Sequence, residues 1–448
     1  MPDDEQHIDS YLLPFKRRTS GGKLRAAEPD RDRSIHVLGE TGSGKTEAIK
    51  LMAYQFSVSE ATPFVVFDYK GDYREFFDEW NLGIDVISLS LDTTGENWNI
   101  FNEVHPDGNT AEEFEEIGRL LFKKYEEQSN NPYFPQAARQ VFVAILKMIW
   151  QNMDHPDNHD LVATFRETTE ATENTDKPTE IHQLLRKLGF ISEAAHLNPD
   201  AKKQTAGVYG NLQMAIGELF RGSFAQGGEF SIRDYMTDPD GRVLLLDFPL
   251  DRGETVKPIY RFFIDWAIRY GLQQQGTAAY FLLDEFQTIP GLEKIERLVN
   301  AGRARKAYAI LGLQSVAQLE ASYGEADAQS ILSGLAQEVL LRPGDETSTN
   351  YIRSRLGQEF VKQDVAEPDK MTQRDAEGEI IEDPTVQTLT REEYPISEAE
   401  LQQFEPGEAI IIEQDDWHHE KLHVLQTIFE DPVLDVLENE LTRRHESR

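Results

Sequence analysis

The octapeptide Gly39-Glu40-Thr41-Gly42-Ser43-Gly44-Lys45-Thr46 constrains this chain more than any other stretch. It matches G-x-x-x-x-G-K-[ST] without a mismatch. A short apolar run, Ile35-His36-Val37-Leu38, precedes it, and helix-compatible text from Ala48 to Tyr54 follows. Glycines at this spacing let backbone N–H groups turn inward around a phosphate, and the helix N-terminus adds the positive end of its dipole. Lys45 then contacts the β- and γ-phosphates, and the Thr46 hydroxyl sits on Mg²⁺. ATP or GTP binding is the firmest expectation.

Such a loop needs a parallel α/β sheet, and the strand text is present. Phe64-Val65-Val66-Phe67, Val86-Ile87-Ser88-Leu89, Val243-Leu244-Leu245-Leu246, Tyr280-Phe281-Leu282-Leu283 and Ala309-Ile310-Leu311-Gly312-Leu313 are short apolar runs. Val339-Leu340-Leu341 and Ala409-Ile410-Ile411-Ile412 complete the series. Between 107 and 205 bounded strands give way to long helical stretches, which reads as an inserted all-α domain. The expected organisation is an N-terminal arm over 1–33, a first nucleotide-binding part over 34–106, the insertion over 107–205, and a second nucleotide-binding part over 206–437. A polar tail covers 438–448, and residues 364–394, charged and Pro-containing, read as a loop or excursion.

The 448 residues include no cysteine, which excludes a disulfide scaffold, a cysteine nucleophile and a thiolate metal site. No apolar run approaches the ~20 residues that span a bilayer, so a cytoplasmic protein is expected. The formal net charge is −35, with acidic residues spread along the whole chain. An even spread argues for a surface adapted to molar salt, as in a halophile, over a local acidic interaction module. Any DNA site on such a surface must be local and enclosed. Lys70, Lys202, Lys203 and Arg221 are candidate DNA contacts, each weighed against being an ordinary solvated charge.

The run Tyr280–Leu283 ends in Asp284-Glu285, on the ligand side of a parallel sheet. Asp284 suits Mg²⁺, and Glu285 suits the base that orients the attacking water. Asp247 also ends a strand, but Phe248-Pro249 follows it, so it is read as a turn or capping residue. If the Ala309–Leu313 strand lies between the strands of the phosphate loop and the acidic pair, Gln314 reaches the γ-phosphate. Arg303 and Arg305 are surface charges unless the protein is oligomeric; an arginine donated across a subunit boundary then stabilises the transferring phosphate.

The order of these motifs resembles a known family. After the phosphate loop come Asp68-Tyr69-Lys70-Gly71-Asp72, the helical stretch, Gly228-Glu229-Phe230-Ser231-Ile232-Arg233-Asp234-Tyr235, Asp284-Glu285-Phe286 and Gly302-Arg303. Gly312-Leu313-Gln314-Ser315-Val316-Ala317-Gln318-Leu319 and Tyr323-Gly324 close the series. The chain resembles, from about Ile35 to Leu422, the type IV coupling proteins of the TraD/TrwB kind, which are hexameric RecA-like ATPases that drive DNA into secretion channels.

The resemblance implies a RecA-like P-loop fold, ATP and Mg²⁺ as cofactors, DNA and a homo-oligomeric ring as partners, and relaxosome or membrane-channel proteins nearby. It implies Lys45 and Thr46 at nucleotide and Mg²⁺, Asp284 at Mg²⁺ and Glu285 as catalytic carboxylate. It further implies Gln314 as γ-phosphate sensor and Arg303 as arginine finger in trans. The family's usual N-terminal membrane helices have no counterpart in this sequence, which leaves two alternatives: a membrane partner supplies the anchor, or the protein is a soluble translocase. The competing readings are a HerA/FtsK-like translocase in repair, segregation or defence, and a non-hydrolytic ATP-binding scaffold.

Overall fold

The computed structural model describes residues 15–18, 24–26, 33–57, 62–79, 84–92, 96–170, 180–274, 277–366, 386–413 and 423–424. Strands β1 (Phe15–Arg18) and β2 (Leu24–Ala26) precede the central sheet. That sheet contains β3 (Ile35–Leu38), β4 (Phe64–Asp68), β5 (Val86–Ser90), β6 (Val243–Asp247), β7 (Ala279–Leu283), β8 (Ala307–Leu313) and β9 (Gln337–Leu340). A hairpin, β10 (Glu359–Ala366) and β11 (Val386–Glu393), comes before the last sheet strand, β12 (Ile410–Glu413), and a final short strand, β13 (His423–Val424).

The central sheet has the order β12-β9-β3-β8-β7-β4-β6-β5. All its pairings are parallel except β12 with β9. The strands are buried almost end to end because both faces are covered, which explains their continuous apolar text. Alternation divides their side chains between two cores. Ile35, Val37, Phe64, Val66, Leu245, Leu282 and Ile310 meet α1 (Lys45–Ser57) and α2 (Asp72–Glu79) on one face. Leu38, Phe67, Leu246, Leu283 and Leu311 belong to the larger core on the other.

That larger core is continuous with a helical block. From Thr110 to Thr237 the described residues form α3 (Thr110–Gln128), α4 (Tyr133–Asn152), α5 (Asn158–Glu170), α6 (Glu180–Lys187), α7 (Ile191–Ala194), α8 (Lys202–Leu219) and α9 (Ile232–Thr237). The block packs on α10 (Gly253–Gln273), whose Phe262, Phe263 and Trp266 join Trp98 in one aromatic cluster. Helix α8 runs through residue 205, so a boundary placed between 205 and 206 cuts a helix. Helices α11 (Ile295–Ala301), α12 (Val316–Tyr323), α13 (Glu325–Ser333), α14 (Glu346–Leu356) and α15 (Glu398–Gln402) complete the chain.

Two expectations need correction. The N-terminal stretch is not simply an arm: β1 pairs antiparallel with both β2 and β13, joining the two ends of the chain in a small sheet. Within the stretch read as a loop or excursion over 364–394, the described residues include strand, since β10 and β11 pair from Glu359↔Glu393 to Ala366↔Val386, and 367–385 lie outside the described residues. Strands β1, β2 and β13 are two to four residues long and β1 meets β13 about 400 residues away, while β10 and β11 are rich in charged and polar residues, so local text carries little signal in either place. The tail at 438–448 lies outside the described residues.

Candidate functional site

The phosphate loop begins where β3 ends, and its rim is pinned by distant segments. Gly39 N donates to Leu313 O (3.0 Å), Glu40 N to Arg342 O (3.0 Å), and Gly407 N to Ser43 O (2.7 Å). Gly42 and Gly44 have φ of 82° and 96°, the left-handed region that favours glycine. A Cβ at Gly44 would also stand 2.9 Å from the Gly407 nitrogen, so backbone conformation and space both exclude a side chain there. Glu40 pairs with the Arg342 guanidinium, which also donates to Phe404 O at 3.1 Å. The order of strands explains these props: β9 and β8 flank β3, so the segments leaving them surround the loop.

Asp284 and Glu285 follow the fully buried strand β7, and each is 4% exposed. Glu285 adopts φ 52° and ψ 42°, an uncommon conformation for a residue with a side chain and a mark of local backbone strain. Its carboxylate receives the Lys45 ammonium at 3.0 Å and the Lys70 ammonium at 2.6 Å, both on Oε1. The Gln287 amide donates to Oε2 at 2.7 Å. Lys45 is also 3.5 Å from Asp284 Oδ1, and the Tyr73 hydroxyl donates to Asp284 Oδ2 at 3.0 Å. Gln314 Nε2 donates to Thr41 Oγ1 on the loop at 2.6 Å. The condition attached to Gln314 is met, because β8 does lie between β3 and β7.

Electrostatics follow from this crowding. Burial acts to raise the Glu285 carboxyl, but Lys45 and Lys70 outweigh it and hold it below its ordinary range. Burial acts to lower the Lys70 ammonium, and the Glu285 hydrogen bond together with the charges of Glu285, Asp284 and Asp72 raises it instead. Asp68, which closes β4, is pushed up to about 6 by burial, against the backbone N–H groups it caps.

Lys45, Asp284, Glu285, Gln314 and the loop from Gly39 to Thr46 therefore converge on one edge of the sheet. Arg303 does not. It is exposed in the turn before β8, at the opposite end of a seven-residue strand about 23 Å long. Lys70 corrects the expectation of a DNA contact, since its ammonium lies on Glu285. Lys202 and Lys203 open α8 and Arg221 lies just beyond its end, so this 18-residue helix separates them by about 27 Å. Asp247, expected as a turn or capping residue, is the last residue of β6 and pairs with Arg74 at 2.8 Å.

Sequence reasoning assigned no role to Tyr73, Gln287, Arg342 or Gly407. Tyr73 and Lys70 stand in or beside the Asp68-Tyr69-Lys70-Gly71-Asp72 signature, and that proximity was the available signal. Nothing local marks Arg342 or Gly407, which arrive from the far end of the chain. The donor set also fits a hard divalent cation: the Asp284 carboxylate and the Thr46 hydroxyl offer only oxygen. Within the loop, Ser43 Oγ is buried with no hydrogen-bond partner among the described residues, as a group meant for a ligand would be.

With this geometry established, the comparisons with known proteins decide the family. The family model described as the type IV secretion-system coupling protein DNA-binding domain matches residues 20–424. The chain belongs to that family. Coupling protein TraD of Escherichia coli (strain K12) is 25% identical over 353 residues, which cover 75% of this chain and 45% of TraD. This coupling-family chain thus spans about half the length of that curated relative. A solved structure of plasmid coupling protein TrwB with a non-hydrolysable ATP analogue has a TM-score of 0.66 at 20% identity, covering 93% of this chain and 94% of that one. TrwB with ADP and Mg²⁺ gives 0.63 at 21% identity, covering 89% and 86%. Likeness at this identity establishes the RecA-like fold. No helix among the described residues is long and apolar enough to cross a membrane.

Proposed function

We propose that this chain is an ATP-hydrolysing motor subunit that moves DNA, assembled as a homo-oligomeric ring, a hexamer by analogy with the family. One observation carries the reading: three neighbouring strand ends bring a phosphate cradle, a carboxylate pair and a glutamine into hydrogen-bond range, while Arg303 stands on the opposite edge.

The roles follow from that layout. Backbone N–H groups of the loop and the α1 N-terminus receive the phosphates, and Lys45 exchanges its carboxylate partners for phosphate oxygens. Glu285, relieved of one ammonium, regains a lone pair with which to orient and polarise water. Gln314 bridges to the loop at Thr41 and would report the presence of the terminal phosphate. Thr46 and Asp284 would hold Mg²⁺, which supplies charge neutralisation at the phosphates. TrwB binds ADP with Mg²⁺ and a non-hydrolysable ATP analogue in its solved structures, which supports the same ligands here. Arg303 cannot serve its own site across the width of the sheet, so it would serve a neighbour's. The helices between 110 and 237 would form the inserted domain, with relaxosome proteins or a membrane channel as partners.

The test is ATP turnover in molar KCl with and without single- and double-stranded DNA, using Glu285→Gln as the blank. DNA stimulation that vanishes in the variant is expected. Turnover indifferent to DNA would overturn the DNA motor, and ATP binding without turnover would favour the scaffold.

A further inference from the structure

The turn that follows β4 carries more chemistry than its length suggests. Asp68 is fully buried and its carboxylate accepts from the backbone nitrogens of Gly71 (2.9 Å), Tyr73 (3.1 Å) and Arg74 (3.1 Å). Gly71 has φ of 83°, so the chain can reverse into α2 without strain. This cap sets the geometry of the turn without help from the side chains beyond it. Three of those side chains then reach three strand-end acids: Lys70 to Glu285 at 2.6 Å, Tyr73 to Asp284 at 3.0 Å, and Arg74 to Asp247 at 2.8 Å. They can do so because β4 lies between β7 and β6 in the sheet, in register through Phe67↔Leu283 and Asp68↔Asp247.

We propose that the Asp68–Arg74 turn is the positioning element of the acidic pair, with Lys70 orienting Glu285 and Tyr73 orienting Asp284. The inference rests on the reading of the site as an ATPase and deepens it. Lys70 on Oε1 and Gln287 on Oε2 give each oxygen of Glu285 one fixed donor. When Lys45 leaves for phosphate, the carboxylate keeps its plane and has a lone pair free for water. The Tyr73 hydroxyl occupies Oδ2 of Asp284, while Oδ1 accepts from Glu285 N at 2.9 Å and is the oxygen that faces Lys45. Loss of Lys70 would not leave the buried Glu285 carboxylate without a cation, since Lys45 stays 3.0 Å from the same oxygen and the Lys70 side chain, 43% exposed, can turn to water. Tyr73 is buried as a ring whether or not it carries a hydroxyl.

The experiment uses the full chain with Lys70→Met, Lys70→Arg and Tyr73→Phe. Outer-shell partners of this kind are worth about 10- to 100-fold in activity or metal affinity. Lys70→Met is expected to lose that much kcat with an unchanged KM for ATP, and Lys70→Arg to recover part of it. Tyr73→Phe is expected to raise the Mg²⁺ concentration for half-maximal ATP binding about tenfold, with ATP binding in EDTA unchanged. A kcat for Lys70→Met equal to or above wild type would overturn the role of Lys70. Equal weakening of Tyr73→Phe binding with and without Mg²⁺ would overturn that of Tyr73. If the wild type bound ATP without turning it over, the hydrolase reading would fall, and the Mg²⁺ titration of Tyr73→Phe would still decide the positioning.

Discussion

Two buried glutamates face cations on the same sheet, and only one of them sits where chemistry can happen. Glu285 follows β7 at the edge where the phosphate loop, Gln314 and the β4 turn converge. Glu338 lies within β9 opposite His36 of β3, with His36 fully buried and Glu338 1% exposed. It accepts from the Tyr351 hydroxyl at 3.0 Å and pairs with the Arg355 guanidinium. Burial lowers the His36 imidazole, outweighing the opposing pull of Glu338 3.7 Å away. Both clusters satisfy a buried carboxylate with similar partners. The difference is that strand ends release backbone N–H groups and loops toward a ligand, whereas mid-strand backbone is already committed to the ladder. A buried acid–base cluster becomes a candidate site through its place on the sheet.

The largest expected effect tests the completeness of the Glu285 edge. Arg303→Ala should lower ATP turnover about 10³-fold or more, as removal of an arginine finger does. Mixing Arg303→Ala with Glu285→Gln should restore part of it, because some mixed interfaces then combine an intact Glu285 with an intact Arg303. Mixtures as inactive as either parent would remove the trans assignment.

Next come the two glutamates themselves. Glu285→Gln should reduce turnover by about 10²- to 10⁴-fold while nucleotide binding persists. Glu338→Ala should do the reverse, keeping turnover per folded molecule and lowering stability by about 3 kcal/mol, the lower end for breaking a buried pair, because Arg355 can turn to water. Chemical denaturation beside turnover measures both. Loss of kcat without loss of stability in Glu338→Ala would break the comparison.

A third buried glutamate leaves turnover untouched and sharpens the contrast through pH alone. Glu103 accepts from Trp98 Nε1, Ile232 N and Arg233 N, and burial pushes it up to about 7 from 4.5. A raised folded-state pKa means that the fold favours the protonated form. Its contribution is therefore complete below about pH 4.5 and fades as pH rises through 7, by about 3 kcal/mol in all. Unfolding of wild type and Glu103→Gln at pH 5 and pH 8 should show the variant with the flatter dependence. Parallel pH curves would contradict the assignment.

Much of the fold was legible from local text. Most central strands appear as short apolar runs, because burial on both faces removes polar alternation, while β9 opens on Gln337-Glu338 and β5 carries Ser88 and Ser90. The phosphate loop, Asp284, Glu285 and Gln314 were legible because each stands at the end of such a run. The small sheet of β1, β2 and β13 was not, since β1 meets β13 about 400 residues away, and neither was the hairpin of β10 and β11, whose strands are rich in charged and polar residues.

The sequence by itself determined which residue types stand at the strand ends, because glycine spacing and apolar runs are properties of neighbours in the chain. Tertiary structure alone decided their company. Whether Lys70 meets DNA or Glu285, whether Tyr73 reaches Asp284, and whether Arg303 serves its own site all depend on strand order. That order arises from packing between segments hundreds of residues apart, which no local pattern encodes.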